Sequence, residues 1–184
     1  VVIAGYPNSG KSTLINAISG EDTAIVTDIP GTTRDILNVE VSVEGMPINL
    51  TDTAGLRETE DPVELEGVRR AQDAIRVADH ILFVVDITTL DNEPENLLDV
   101  ITSFSSNFSL NLTSGKKLTM VINKLDLIDD CENFLKKLQA VDVKTPVIGV
   151  SAKTEEGLEN LRENFLKVSD YSHFSEDNFS ARTR

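Results

Sequence analysis

The sequence predicts an α/β fold of three layers, in which helices cover both faces of a six-stranded, mostly parallel sheet with one antiparallel strand. Three observations lead to this prediction. Short apolar runs of strand length alternate with stretches whose apolar residues recur at helical spacing. A glycine-rich turn joins the first of these strands to the first helix. Two segments that alternate apolar and polar residues flank Glu44 and Gly45, a pattern typical of a hairpin with antiparallel strands.

The first part of the chain begins with an apolar strand at residues 1–4, followed by a helix at residues 12–19. We expect Gly20 to end this helix in the left-handed conformation. The two hairpin strands are predicted at residues 37–43 and 46–50, where every second residue is apolar. The strand, turn and helix at the start therefore lead into an antiparallel pair.

The remainder of the chain alternates helices with strands. Asp61 followed by a proline is a typical helix start, so a helix is predicted from residue 62. Residues 81–85 are all apolar, as expected for a strand buried on both faces. The further predicted elements are a helix carrying Leu97, Leu98, Ile101 and Phe104, a strand at 118–122, a helix at 132–138, a strand at 147–150, and a helix carrying Leu158, Leu161 and Phe165.

These elements predict one domain over residues 1–168. Residues 169–184 are rich in Ser, Asp and Asn and show no periodicity, so we expect a linker or junction there. Because the sequence starts without methionine and directly inside its first strand, we also expect it to be a fragment of a longer chain.

Composition limits the partners of this domain. The chain has 184 residues, with 31 acidic and 17 basic side chains and a formal net charge of −14. So acidic a surface should repel nucleic acid and anionic membranes, and we expect no direct binding to either. The single cysteine, Cys131, cannot form an internal disulfide, and neither a signal peptide nor an apolar run of about 18 residues is present. We therefore expect a cytoplasmic location.

Residues 5–12 read Gly-Tyr-Pro-Asn-Ser-Gly-Lys-Ser and fit the phosphate-binding P-loop pattern. Gly5 and Gly10 allow the backbone to bend so that successive N–H groups point at a phosphate. Lys11 can reach the β- and γ-phosphate oxygens, and the Ser12 hydroxyl can hold Mg²⁺. The motif predicts a nucleoside triphosphate site with Mg²⁺, and leaves ATPases, kinases and GTPases open.

Two further segments are predicted to surround the γ-phosphate. Residues 52–55 read Asp-Thr-Ala-Gly and end the second hairpin strand, which places Asp52 near the Mg²⁺ shell and the Gly55 N–H near the γ-phosphate. The polar loop at residues 27–35 lies where a switch loop is expected. A threonine there, Thr33, can offer its hydroxyl to Mg²⁺ and its N–H to the γ-phosphate.

Two motifs after later strands predict that the base is guanine. Residues 123–126 read Asn-Lys-Leu-Asp, and the Asp126 carboxylate can accept hydrogen bonds from N1–H and the exocyclic amine, which adenine does not offer there. Lys124 can lay its methylenes on the base. Residues 151–153 read Ser-Ala-Lys, and the Ala152 N–H can donate to guanine O6. All these loops follow strands at the carboxyl edge of one sheet, where ligands bind in open α/β folds.

The predicted ligands are GTP and GDP. The residues predicted to contact the nucleotide and its ions are Asn8, Ser9, Gly10, Lys11, Ser12, Thr13, Thr27, Asp28, Ile29, Pro30, Gly31, Thr32, Thr33, Asp52, Thr53, Ala54, Gly55, Asn123, Lys124, Asp126, Ser151, Ala152 and Lys153.

Three segments of the chain, together with the P-loop, carry a resemblance to a known family. They read Gly-Thr-Thr-Arg-Asp at residues 31–35, Asp-Thr-Ala-Gly-Leu-Arg-Glu-Thr at 52–59 and Pro-Val-Glu-Leu-Glu-Gly at 62–67. These segments resemble the G domains of the MnmE (TrmE) family of tRNA-modification GTPases. The resemblance runs from Val1 to about Val168 and implies the P-loop GTPase (Ras-like) fold. Residues 179–184 are similar to the point where that family's chain re-enters its helical domain. The resemblance thus implies a G domain excised from a protein that also has a folate-binding domain.

The same resemblance implies a K⁺ site beside the phosphates. Asn8 would coordinate this ion, with backbone carbonyls at Thr27 and Ile29 and with Thr32. A cation there can neutralise charge that develops in the transition state, the task that an arginine finger performs elsewhere.

The catalytic residues implied are Glu64, Lys11, Thr33 and Gly55. Many GTPases have a glutamine after the Asp-Thr-Ala-Gly motif to orient water, but here that residue is Leu56, which cannot do so. The resemblance points instead to Glu64, acting through a bridging water. From the residues alone, Glu64 could equally be a solvated charge at a helix start, as could Glu58, Glu60 and Glu66. Arg34 and Arg57 are interpreted as stabilisers of the switches or of a dimer contact.

The resemblance also implies partners. The family's G domains pair across their switch regions, and the whole protein works with an MnmG-type flavoprotein to place an aminomethyl-type group at C5 of the wobble uridine of certain tRNAs. Two alternatives remain open. A ribosome-assembly GTPase of the EngA or Era type shares several of the motifs, and a non-hydrolysing GTP-dependent scaffold would leave Glu64 idle.

Overall fold

A computed structural model describes residues 1–21, 38–43, 46–52, 62–91, 93–107, 117–141 and 145–169. These residues form six strands and five α-helices. In chain order they are β1 (Val2–Gly5), α1 (Lys11–Glu21), β2 (Asn38–Val43), β3 (Met46–Asp52), α2 (Pro62–Val77), β4 (His80–Asp86), α3 (Asn96–Asn107), β5 (Lys117–Asn123), α4 (Cys131–Ala140), β6 (Val147–Gly149) and α5 (Leu158–Val168).

The strands form one sheet in the order β2-β3-β1-β4-β5-β6. β2 pairs antiparallel with β3, and every other neighbouring pair is parallel. The predicted six-stranded sheet with one antiparallel strand is therefore confirmed. Since five strands run in one direction, the loops that follow them meet at the same edge.

Helices cover both faces of the sheet because the central strands are apolar on both sides. In β4, Phe83 and Val85 belong to the core cluster that α2, α3 and α4 complete, whereas Leu82 and Val84 belong to the cluster under α1 and α5. All four side chains are at most 2% exposed. Alternate residues of a strand point to opposite faces, so a continuous apolar run is what a sheet covered on both sides requires.

Three local features differ from the sequence prediction. Gly20 does not end α1, because this helix continues to Glu21 and the backbone of Gly20 is not left-handed. Leu98 is 44% exposed and lies off the buried stripe of α3. Short 3₁₀ helices at Ile87–Leu90 and Leu125–Leu127 were not predicted, since three or four residues are too few to show a periodicity.

The amino-terminal edge of the sheet, opposite the P-loop, carries a cavity of about 910 Å³. His80 lines it but is only 4% exposed, and its Nε2 lies 2.9 Å from Thr119 Oγ1, which in turn donates to Asn164 Oδ1 at 3.0 Å. Burial, reinforced by the positive charge of Lys117, lowers the pKa of His80 to about 4. His80 is therefore neutral at pH 7.

No helix within the described ranges is both long and apolar enough to span a bilayer.

Candidate nucleotide-binding site

The turn between β1 and α1 adopts the shape that a P-loop needs. Asn8 and Gly10 have left-handed backbones, with φ of 63° and 91°, and asparagine and glycine are the residues that tolerate this region best. A Cβ on Gly10 would lie 2.3 Å from Asn123 Nδ2, and one on Gly5 would lie 2.5 Å from the carbonyl oxygen of Val84. Both glycines are thus required by close neighbours as well as by the turn.

Lys11 closes the turn from inside. It is only 6% exposed, and its Nζ donates to the carbonyl oxygens of Gly5 and Tyr6, both at 3.1 Å. A buried ammonium gains more from a phosphate than from neutral carbonyls, because the phosphate adds the Coulomb attraction of an opposite charge. Lys11 is therefore held where it can transfer its hydrogen bonds to an incoming phosphate.

The first turn of α1 supplies further phosphate-binding groups. The helix starts at Lys11, and its first intrahelical bond runs from Leu14 N to the carbonyl oxygen of Gly10 at 2.9 Å. The first backbone N–H groups of a helix point along its axis at the N-terminus, where they attract an anion. Ser12 and Thr13 are both exposed. The N-terminus of α1 thus presents N–H groups and two hydroxyl side chains at the mouth of the turn.

Asn123 joins three loops of the predicted site. This residue ends β5 and is 1% exposed. Its Nδ2 donates to the carbonyl oxygen of Ser9 at 2.8 Å, and its Oδ1 accepts from the Ala152 N–H at 3.0 Å. The side chain of Asn123 thereby links the P-loop to the loop after β6 and fixes their relative position. Because the Ala152 N–H already has this partner, donation to guanine O6 would require a shared or an exchanged hydrogen bond.

Asp126, which follows β5, is oriented by two residues of the loop after β6. Its Oδ1 accepts from the buried Ser151 hydroxyl at 2.7 Å, and its Oδ2 lies 3.8 Å from Lys153 Nζ. The Asp126 side chain is 16% exposed. A carboxylate fixed in this way can present both oxygens to a pair of N–H donors without losing rotational freedom on binding.

Lys124 makes a contact that the sequence did not predict. Its backbone is left-handed, with φ of 69°, and its Nζ lies 2.5 Å from Asp86 Oδ2. Asp86 ends β4 and lies in register with Asn123 at the end of β5. No motif includes Asp86, so only the strand register, which brings the ends of β4 and β5 side by side, could have pointed to it.

The comparisons with known proteins agree with this geometry. The model of a family described as "50S ribosome-binding GTPase" matches residues 1–124, which contain the P-loop and the first two residues of the guanine motif. The chain belongs to this family of GTPases. Among solved structures, this GTPase is similar to Era in complex with MgGDPNP and a segment of 16S ribosomal RNA, with a TM-score of 0.71 and 29% identity. That match covers 91% of this chain and 55% of Era.

Curated relatives specify the resemblance further. The GTPase is 42% identical over 185 residues to the tRNA modification GTPase MnmE of Photobacterium profundum. It is 44% identical over 186 residues to the MnmE of Vibrio vulnificus. Both alignments cover 100% of this chain and 38% of the relative. The resemblance to MnmE is thus confirmed, and the chain spans well under half the length of these relatives.

The remaining predicted residues of the GTPase fall into two groups. Asp52 ends β3, and its backbone is in register with Ile3 of β1, so it lies at the same edge as the P-loop. Glu64 lies in the first turn of α2. The other predicted residues lie outside the described residues: Thr27, Asp28, Ile29, Pro30, Gly31, Thr32, Thr33, Thr53, Ala54 and Gly55, together with Arg34 and Arg57.

The groups at the mouth of the P-loop suit hard cations. Within the described part of the chain, no group of three or more His, Cys, Asp or Glu residues could hold a metal ion. A cation bound with GTP needs few such ligands, because phosphate oxygens supply the charge and the protein adds a hydroxyl or amide oxygen. Ser12 and Asn8 both carry such an oxygen and are exposed beside Lys11, so the donor chemistry fits Mg²⁺ and K⁺.

Proposed function

We propose that this chain is the GTP-binding and GTP-hydrolysing domain, over residues 1–168, of a tRNA wobble-uridine modification protein, and that it acts with Mg²⁺ and K⁺. The observation that carries the nucleotide site is the pair of hydrogen bonds from Asn123 to the P-loop and to the Ala152 loop. The identity of 42–44% with MnmE proteins over the whole chain supports the tRNA-modification role.

GTP would bind with its phosphates in the P-loop and its base against the loops after β5 and β6. Lys11 would exchange its bonds to the carbonyls of Gly5 and Tyr6 for bonds to phosphate oxygens. Asp126, held by Ser151, would accept hydrogen bonds from guanine N1–H and the exocyclic amine. The selectivity against adenine follows because adenine would leave the Asp126 carboxylate without these donors.

Hydrolysis would proceed without a glutamine to orient water. Glu64, in the first turn of α2, would position the attacking water through a second water, as the resemblance implies. Mg²⁺ would be held by Ser12 and Thr33, with Asp52 near its coordination shell. K⁺ would be held by Asn8, Thr27, Ile29 and Thr32. When bound, these cations would supply positive charge that stabilises the charge developing on the phosphates. Two domains would pair across their switch regions in the activated state.

The first experiment is phosphate release from GTP at several protein concentrations, in K⁺ and in Na⁺ buffers of matched ionic strength. We expect faster release in K⁺, with a rate that rises more than linearly with protein. Glu64→Ala should abolish this stimulation, whereas Glu66→Ala, a matched acidic residue in the same helix, should retain it. Rates that respond neither to the cation nor to Glu64→Ala would refute the proposed mechanism and leave a plain guanine nucleotide switch.

In the whole protein, the domain would regulate the modification of tRNA in the cytoplasm together with an MnmG-type flavoprotein. The net charge of −14 argues that tRNA contacts other parts of that protein. A chimeric MnmE that carries this chain in place of its own G domain would test the role. In cells that lack MnmE, we expect it to restore the wobble-uridine modification, measured by mass spectrometry of tRNA, and we expect the Lys11→Ala chimera not to.

A second candidate is a ribosome-assembly GTPase of the Era or EngA type. The description of the matching family and the similarity to Era favour it. Era, however, is 29% identical, against 42–44% for MnmE proteins. A chimera that hydrolyses GTP but leaves tRNA unmodified, together with GTP-dependent co-sedimentation of this chain with ribosomal subunits, would favour the second candidate.

A further inference from the structure

Asp86 lies at the guanine-binding edge of the sheet although no nucleotide-binding motif includes it. It is the last residue of β4, and its register partner is Asn123, the last residue of β5. Its side chain is only 14% exposed. A carboxylate with so little access to water requires partners that stabilise its charge.

Two residues fix the Asp86 carboxylate. Its Oδ1 accepts from the Thr88 backbone N–H at 3.0 Å and from the Thr88 hydroxyl at 2.7 Å. Its Oδ2 accepts from Lys124 Nζ at 2.5 Å. Burial alone would raise the pKa of Asp86, but these hydrogen bonds outweigh it and hold the pKa below its ordinary value. Asp86 therefore stays charged, with the rotation of its carboxylate set by Thr88 and one oxygen directed at Lys124.

Lys124 is thereby held at both ends of its side chain. Its backbone is left-handed, with φ of 69°, and its ammonium is held by Asp86. A Cβ on Gly10 would lie 4.0 Å from Lys124 Cε, so the end of the stem passes beside the P-loop. A lysine loses more rotamer freedom on ordering than most residues. A lysine that is ordered before the ligand arrives avoids this cost on binding.

We propose that Asp86 is a positioning residue for base recognition, which holds Lys124 so that its methylenes form a fixed wall against the face of guanine. The inference rests on the guanine site proposed above. The ion pair joins the ends of β4 and β5, so the wall is attached to the most buried part of the sheet.

The test is a double-mutant cycle in which calorimetry measures the affinity for GDP, the titrated probe. Asp86→Asn keeps the shape and an acceptor for Thr88 but removes the charge that holds Lys124. We expect it to weaken GDP binding about tenfold, the scale of one charge-assisted hydrogen bond. In a Lys124→Met background, the same change should weaken binding no further, because no ammonium remains for Asp86 to hold. As a control, Asp99→Asn makes the same change at an exposed acidic residue of α3 and should bind GDP within about twofold of the wild type.

Equal weakening by Asp86→Asn in both backgrounds would overturn the proposal, as would no weakening in either. Lys124→Met alone should also weaken GDP binding about tenfold, so wild-type binding by this variant would overturn the proposal even if Asp86→Asn did not fold. The guanine site is tested separately by Asp126→Asn with GDP and inosine diphosphate, which lacks the exocyclic amine. If this variant keeps the preference for GDP, the guanine site itself is wrong. If the preference is lost but the cycle is additive, only the role of Asp86 is refuted.

Discussion

Replacement of Asn123 by alanine should destabilise the domain and its nucleotide site together. The amide of Asn123 is 1% exposed and satisfies two backbone groups from distant segments, the Ser9 carbonyl at 2.8 Å and the Ala152 N–H at 3.0 Å. Alanine reaches neither. The change therefore leaves a buried acceptor and a buried donor without this partner and also opens a small void between the loops.

The expected loss of stability follows from these two groups. Each of the two buried polar groups that lose their partner costs about 1–3 kcal/mol, so Asn123→Ala should lower the free energy of unfolding by about 2–6 kcal/mol. A domain of this size normally has about 5–15 kcal/mol, so the variant should still fold. GDP should protect the variant much less than the wild type, since ligand stabilisation scales with the logarithm of affinity.

Urea unfolding followed by circular dichroism, with and without GDP, measures both effects. Asn133→Ala is the matched control, because Asn133 is exposed and only donates to Asp130 Oδ2 at 3.1 Å. That control should change the free energy of unfolding by less than about 0.5 kcal/mol. If Asn123→Ala costs no more than Asn133→Ala, the side chain of Asn123 does not hold the loops together and the reasoning is refuted.

Three further predictions concern the backbone and the opposite edge of the sheet. Gly10→Ala should weaken GDP binding at least about tenfold by calorimetry, because φ is 91° and the new Cβ would lie 2.3 Å from Asn123 Nδ2; wild-type affinity would contradict this. Gly157→Ala should lower the free energy of unfolding in urea by at least about 2 kcal/mol, because φ is 78° and the new Cβ would lie 2.2 Å from a backbone oxygen. Gly20→Ala should be neutral or stabilise the domain by up to about 1 kcal/mol, because the space around its Cβ is open. Equal effects of the two changes would be inconsistent with these contacts. The pKa of His80 is lowered to about 4, so the unfolded chain binds more protons than the folded chain between pH 6.5 and 4. The free energy of unfolding should therefore fall by up to about 3 kcal/mol as the pH drops through this window. His80→Asn should flatten this part of the plot of stability against pH, and an unchanged slope would argue against the low pKa of His80.

The sequence was sufficient to predict the sheet and the position of the motifs on it. Apolar runs buried on both faces, such as residues 81–85, have few alternatives to a central strand once the P-loop fixes the first strand and helix. Helix ends were less accurate. Gly20 was expected to stop α1 because glycine favours the left-handed cap, but its backbone is not left-handed and the helix runs one residue further, to Glu21.

Contacts between motifs could not be predicted from the motifs themselves. The sequence assigned Asn123 and Ala152 to the guanine site, but the hydrogen bond between them and the bond from Asn123 to Ser9 depend on how three strands lie side by side. Asp86 was missed for the same reason. Only its ion pair with Lys124 distinguishes it from any other acidic residue at the end of a strand, and the sequence does not show that pair.

Strand register is therefore the property of the fold that sets the guanine site. Asp86 and Asn123 are register partners at the ends of β4 and β5, and Gly149 of β6 lies beside Ile122. A shift of one residue in β5 would direct Asn123 to the opposite face of the sheet and would separate Lys124 from Asp86. Thr119 and Asn123 are already buried, and the same shift would turn them against the apolar cluster that Leu118, Met120 and Ile122 now fill. The apolar packing of the central strands thus also helps to hold the base-binding loops in place, together with the hydrogen bonds of Asn123 and Ser151.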